Sequence, residues 1–202
     1  MRFGTCLALI VFCVLVLGLP SFGWVITKEL KQELAQKTAA VKSNPKDPQA
    51  QFELAVTQGY TNHLIEGMAS LKKVNELDPD FKSKALDLYF KKVVAEPNDW
   101  KLRFRMAFVY FFNDKKAEAI REMNNVLIID PYNVWAMGYI ALLYGYLGEI
   151  DKAIAITKQA LKIDSNVAAL HLLLGEGYAK KGDAWGAFRE RVEAVRLKSL
   201  GY

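Results

Sequence analysis

The sequence is poor in the residues that make disulfides and metal sites. It has two cysteines, Cys6 and Cys13, and the rest of the chain has none, which excludes a disulfide framework and a cysteine-ligated metal site in the body. His63 and His171 are the only histidines, and neither has a second histidine or cysteine three or four positions away. We find no nucleophile–base pair, phosphate-binding loop or paired carboxylates in an apolar setting. The sequence therefore predicts no catalytic residue, no metal site and no cofactor.

The chain also lacks a strong excess of charge of one sign. Its 27 basic and 22 acidic residues give a net charge of +5, and both signs are spread along the chain. A nucleic-acid partner is therefore not expected, because such proteins concentrate basic residues in a patch or stripe. Apolar residues make up 52% of the 202 residues, which excludes a disordered chain and supplies ample material for a core.

Part of this apolar content lies in one uncharged run over residues 3–26, preceded by Arg2. Two interpretations compete for residues 1–26. The run is long enough for an uncleaved transmembrane anchor, with Trp24 at the membrane interface, although Pro20 interrupts it. A signal peptide cleaved near Gly23 is the alternative, since small residues precede that point and a basic residue begins the chain.

The location of the body follows from the same segment. The signal-like character of residues 1–26 favours a membrane-anchored protein with an extracytoplasmic body, or a secreted or periplasmic one after cleavage. A strict count of basic residues after the run points the other way. Residues 27–47 then predict a polar helix and a linker, the helix serving as a spacer or forming a short coiled coil. Asp47 is placed to cap the helix that Pro48 begins.

A pattern of 34 residues recurs along the body. Windows at 100–133, 134–167 and 168–201 share a small eighth residue, a tyrosine at the eleventh and an alanine at the twentieth, and a divergent copy occupies 48–81. The eighth position holds Ala107, Ala141 and Gly175 in the three windows. The eleventh holds Tyr110, Tyr144 and Tyr178, and the twentieth holds Ala119, Ala153 and Ala187. Small residues at two positions allow a pair of antiparallel helices to cross closely.

This pattern resembles the tetratricopeptide repeat (TPR) family, whose period is 34 residues. The resemblance covers most of residues 48–201 and implies an all-α protein, an α-solenoid of helix-turn-helix repeats preceded by an N-terminal hydrophobic helix. Stacked copies share a continuous core, because one helix pair cannot bury its apolar face alone.

The array departs from the pattern in two places. Residues 82–99 predict an extra amphipathic helix, half a repeat long, between the first copy and the three regular ones. The copy at 168–202 ends the array, and the charged side chains of its final helix are expected to cap it.

The resemblance also places a functional surface on the concave side of the solenoid. In the family this side is lined by fixed positions of each first helix, which here are mostly aromatic or aliphatic and lack the cluster of cations that clamps a terminal carboxylate. Apolar pockets for a peptide or partner helix are expected there, although several aromatics could instead pack between copies. The candidates are Phe52, Tyr60, Lys101, Phe104, Phe108, Phe111, Trp135, Leu142 and Tyr146.

Together these features predict a non-enzymatic interaction scaffold, tethered to a membrane by residues 1–26, that binds a partner protein or peptide. The order of anchor, short helix, linker and repeats also resembles bacterial assembly factors of membrane complexes, such as those of cytochrome c maturation. A self-associating structural protein that forms a homo-oligomer is the third hypothesis.

Overall fold

The computed structural model describes residues 26–200, which fold into helices and contain no strand. The expectation of an all-α repeat protein is confirmed for this range. The anchor or signal peptide predicted at residues 1–26 lies outside it, apart from Ile26. The helices are α1 (Lys28–Ser43), α2 (Pro48–Gly59), α3 (Leu64–Leu77), α4 (Phe81–Ala95), α5 (Trp100–Phe112), α6 (Lys116–Ile129), α7 (Val134–Tyr146), α8 (Ile150–Ile163), α9 (Ala168–Lys180) and α10 (Ala184–Ser199).

Side-chain caps fix where several helices begin. The carboxylate of Asp47 accepts hydrogen bonds from the backbone N–H groups of Gln49 and Ala50 at 2.8 and 3.2 Å, and Pro48 opens the helix. Asp99 caps α5 in the same way, and the Asn133 side chain caps α7. These contacts satisfy backbone donors that have no partner inside a helix, so the start of each helix is encoded locally.

The last six helices form three antiparallel hairpins, α5–α6, α7–α8 and α9–α10, each joined by a tight turn. Gly148 and Gly182 take positive φ in two of these turns, a conformation that glycine adopts without steric cost. Close crossing requires the small residues: a Cβ added at Gly175 would lie 3.3 Å from the Ala187 carbonyl oxygen. Successive hairpins stack, and one apolar core runs from Leu30 to Leu170.

The first half of the array is less regular. Helices α2 and α3 form a hairpin, but α4 packs on α5, and α2 also contacts α5 directly. Helix α4 therefore contacts α5 in the way that α6 contacts α7 and α8 contacts α9. The Phe52 ring of α2 packs against Phe81 and Tyr89 of α4, with ring centroids 5.4 and 5.3 Å apart.

Helix α1 packs against α2 and is part of the folded body. Its Leu30 is buried, and Lys37 forms an ion pair with Glu53 of α2. The segment that the sequence assigns to a spacer thus contributes both an apolar and a polar contact to the repeats. Within residues 26–200, no helix combines the length and apolar character needed to cross a bilayer.

Candidate functional site

A pocket of about 240 Å³ opens where α7, α8 and α9 meet. Three of its lining residues, Leu142, Gly145 and Tyr146, lie on the side of α7 that the TPR resemblance assigns to the concave surface. Glu176 and Lys180 of α9 occupy the matching positions one window later. The remaining lining residues are Ala141, Ile150, Ala153, Thr157, Leu173 and Gly177.

The pocket forms because the side chains at this junction are smaller than the aromatic ones at the equivalent positions of the preceding repeat. One window earlier, the positions of Leu142 and Gly145 hold Phe108 and Phe111. There Phe108 packs on Tyr139 with ring centroids 4.8 Å apart, and Phe111 packs on Tyr146 at 5.7 Å. A Cβ at Gly145 would meet no atom within 4 Å, so this space is open to a ligand.

The pocket is apolar inside and polar at its mouth. The only lining side chain with a polar group in its interior is Thr157, whose hydroxyl donates to the Ala153 carbonyl at 2.7 Å and is thereby satisfied. At the mouth, exposed Glu176 accepts a hydrogen bond from Arg191 at 2.6 Å, and Lys180 is exposed. Since an apolar cavity of about 150 Å³ can already hold benzene, the pocket accommodates one large apolar side chain.

Of the nine residues proposed from the sequence, four are half-buried or exposed and five are buried. Leu142 and Tyr146 line the pocket, and Phe111 lies half-buried beside Tyr146. Lys101 is half-buried and forms an ion pair with Glu33 of α1. The other five are buried in the core: Phe52, Tyr60, Phe104, Phe108 and Trp135.

The burial of Phe52, Tyr60 and Phe104 involves the irregular first half of the array, whereas Phe108 and Trp135 are buried around α7. Helix α4 covers Phe52, and Glu33 of α1 accepts a hydrogen bond from the Tyr60 hydroxyl at 2.6 Å. Phe104 lies between Tyr60 and Tyr139, with ring centroids 5.4 and 5.3 Å away. In this structure these side chains fill the space between helices, which is the packing alternative that the sequence left open.

Residues 138–167, which contain most of α7 and α8, match the tetratricopeptide repeat family. The matched segment contributes the α7 and α8 walls of the pocket, so the site lies at the junction between this segment and the hairpin that follows it.

Solved structures with the same fold extend over most of the chain. A thermophilic TPR protein of Thermus thermophilus, TTC0263, is 22% identical with a TM-score of 0.56, covering 83% of this chain and 82% of its own. YrrB, a TPR protein with an unusual peptide-binding site, is 17% identical with a TM-score of 0.53, covering 81% and 92%. MamA MSR-1 C2 is 16% identical with a TM-score of 0.50, covering 85% and 95%. These likenesses show the fold, and no curated protein matches the sequence.

A network of charges that sequence reasoning missed joins α1 to α2 and α5. The Arg105 guanidinium, with 5% of its surface exposed, donates to Glu33 at 2.8 Å, to the Tyr60 hydroxyl at 3.1 Å and to Thr57 at 3.2 Å. Lys101 also pairs with Glu33, so one carboxylate joins two cations of α5. The sequence feature that could have predicted this network is Arg105, a charged residue at a core position of α5.

A second half-buried carboxylate, Glu53, joins α1, α2 and α4. Burial alone would raise its pKa, but the ion pair with Lys37 and the hydrogen bond from Gln49 lower the pKa of Glu53 to about 2. Lys92 of α4 lies 3.6 Å from it, and the Tyr89 hydroxyl donates to it at 3.3 Å. The charged form of Glu53 therefore stabilises the packing of the first helices.

This depressed pKa predicts acid sensitivity. Such a carboxylate contributes stability that is complete above its unfolded pKa, near 4.5, and that is lost as the pH falls toward 2. We expect the free energy of unfolding to decline over this window, and to decline less in Glu53→Gln. Urea titrations at several pH values, with exposed Glu66→Gln as control, measure this difference. Parallel pH profiles for the wild type and Glu53→Gln would refute it.

The histidines serve as structural hydrogen-bonding groups. His171 bridges the Glu190 carboxylate at 2.7 Å and the Ser165 carbonyl at 3.0 Å, which joins α9 to α10. His63 precedes α3, and its Nδ1 lies 2.6 Å from the Thr61 carbonyl oxygen. Over residues 26–200, no group of histidine, cysteine, aspartate and glutamate side chains is arranged to hold a metal ion.

Proposed function

We propose that this chain is a protein-interaction scaffold that binds a partner peptide by inserting one large apolar side chain into the pocket between α7, α8 and α9. The pocket carries the proposal, because its walls include the concave-face residues Leu142, Gly145 and Tyr146. One protein with this fold, YrrB, has a peptide-binding site. The body would be held at a membrane by residues 1–26, with the TPR hairpins on the extracytoplasmic side.

The energetics favour an anchor residue of this kind. Burying a leucine or phenylalanine side chain contributes about 1.5–3 kcal/mol, which corresponds to a factor of roughly 10–150 in the dissociation constant. The polar mouth adds direction, because exposed Lys180 and Glu176 can contact polar groups that flank the anchor in an extended peptide.

Filling the pocket tests this function. Gly145→Phe restores the residue type found one window earlier at Phe111 and meets no atom at its Cβ, so the fold should persist. Peptides selected from a displayed random library against the wild-type chain are expected to share an apolar anchor. Calorimetry should then show affinity for Gly145→Phe at least about 10-fold weaker, the lower end of the burial estimate.

The matched control adds a ring elsewhere. Ile128→Phe places a phenylalanine at a side chain of α6 that is 78% exposed, and it should leave peptide affinity unchanged. Selected peptides that bind wild type and Gly145→Phe equally would reject the pocket as the site, as would a selection that enriches no apolar anchor.

A further inference from the structure

The last helix exposes an apolar stripe that is separate from the pocket. Trp185, Phe188, Val192 and Val195 recur at helical spacing on one face of α10, with 72%, 57%, 51% and 69% of their surfaces exposed. The rings of Trp185 and Phe188 stack with centroids 5.7 Å apart. The charged residues expected to cap the array lie beside this stripe, and within residues 26–200 no helix covers it.

The repeat register identifies what this face does elsewhere in the chain. One window earlier, its first three positions are Asp151, Ile154 and Lys158 of α8. All three contact α9 or the residue that ends it: Asp151 pairs with Lys181, just after α9, at 2.9 Å, Lys158 lies over the Tyr178 ring at 5.2 Å, and Ile154 packs against the backbone of Gly177. By its position in the repeat, the stripe on α10 is therefore equivalent to the face of α8 that packs against the next helix of the solenoid.

We propose that this face binds the same face of a second copy of the chain, with the two α10 helices antiparallel about a two-fold axis that crosses the stripe midway between Phe188 and Val192. In this register Trp185 opposes Val195 of the second copy, and Phe188 opposes Val192 of the second copy. Both pairings are symmetric about the same point of the helix. One arrangement therefore places Trp185 and Phe188 of each copy against the two valines of the other. Large against small is the pairing that fills a helix interface without voids.

The area of the stripe suits a small, weak dimer. Aromatic side chains carry roughly 150–250 Å² each, so the exposed parts of Trp185 and Phe188 together offer about 250 Å². The half-exposed or more exposed side chains of Val192 and Val195 add somewhat less. Two such faces bury about 900 Å², which is close to the roughly 1,000 Å² expected of a small specific interface.

The flanking charges permit two identical helices to approach. Three arginines border the stripe, and each has a carboxylate of its own chain: Arg189 pairs with Glu190, Arg191 with Glu176, and Arg196 with Glu193. The dimer therefore does not bring unpaired arginines together, and its attraction is mainly apolar.

Disulfide trapping tests the register. In the full chain carrying Cys6→Ser and Cys13→Ser, one preparation receives Trp185→Cys and another Val195→Cys. The mixture should form a cross-linked dimer under mild oxidation, while each preparation alone should form little. Two cysteines at the same position would be about 15 Å apart along the axis, and a disulfide requires Cα atoms within about 7 Å. No cross-link in the mixture, or equal cross-linking in each preparation alone, would overturn the proposal.

Sedimentation of the detergent-solubilised full chain supplies the second measurement. The wild type should sediment as a dimer at micromolar concentrations, and Phe188→Glu as a monomer with an unchanged helical circular dichroism spectrum. Ile65→Glu is the control, since Ile65 is an apolar side chain of α3 with 68% of its surface exposed, and it should remain dimeric. A monomeric wild type, or a Phe188→Glu chain that stays dimeric, would contradict the α10 interface.

Discussion

Replacing Glu33 with alanine is expected to destabilise the protein by about 3 kcal/mol, the cost of leaving a buried charge without its partner. The substitution removes the carboxylate from Arg105, whose guanidinium is almost fully buried. Lys101 loses the same partner but is exposed enough to be hydrated. Since Glu33 accepts the hydrogen bonds that join α5 to α1, we also expect α1 to detach before the rest of the array unfolds.

Urea unfolding monitored by circular dichroism measures the stability, and hydrogen exchange along α1 measures the detachment. Glu76→Ala is the matched control, because it breaks a single exposed ion pair with Lys73 and should cost less than about 1 kcal/mol. The double variant Glu33→Leu/Arg105→Met should recover much of the loss, since it removes the buried charge of Arg105 together with its half-buried partner. Equal costs for Glu33→Ala and Glu76→Ala would mean that the network is not important for stability.

Replacing Phe104 with alanine should cost about 3–5 kcal/mol, the range for removing a fully buried aromatic side chain. Phe104 has no exposed surface and contacts the rings of Tyr60, Trp100, Phe108 and Tyr139. The cavity would lie among the first three hairpins, where the Phe104 ring of α5 contacts Tyr60 at the end of α2 and Tyr139 of α7. The melting temperature should fall accordingly.

Exposed Phe90 provides the comparison for this variant. Phe90→Ala removes the same side chain from a surface position, 55% exposed, and should change stability by less than about 1 kcal/mol. If Phe104→Ala were as stable as Phe90→Ala and instead lost peptide binding, Phe104 would belong to the functional surface and not to the core.

Much of the fold could be predicted because the signals are local and repeated. The small residues at Ala107, Ala141 and Gly175 mark where each hairpin crosses, and Asp47, Asp99 and Asn133 cap helices through their own side chains. A 34-residue period extends such local signals along the chain, since each hairpin contacts mainly its neighbours.

The site could be predicted only in part, because surface exposure depends on contacts that are distant in sequence. Residues alike in type at equivalent positions, such as Phe108 and Leu142, differ in exposure because their neighbouring hairpins differ. The burial of Phe52 and Tyr60 depends on α4 and α1, which lie outside the regular repeats. The pocket itself arises from the absence of a side chain at Gly145, and no residue signals its presence directly.

The most direct test of the proposed function is site-specific photo-cross-linking from the pocket wall. Benzoylphenylalanine at Lys180, an exposed lining residue at the mouth of the pocket, should cross-link a library-selected peptide beside its apolar anchor in the full chain, as located by mass spectrometry. The same group at Ile128, an exposed position on α6, should give little product. Cross-linking that is equal at the two positions, or stronger at Ile128, would contradict binding between α7, α8 and α9.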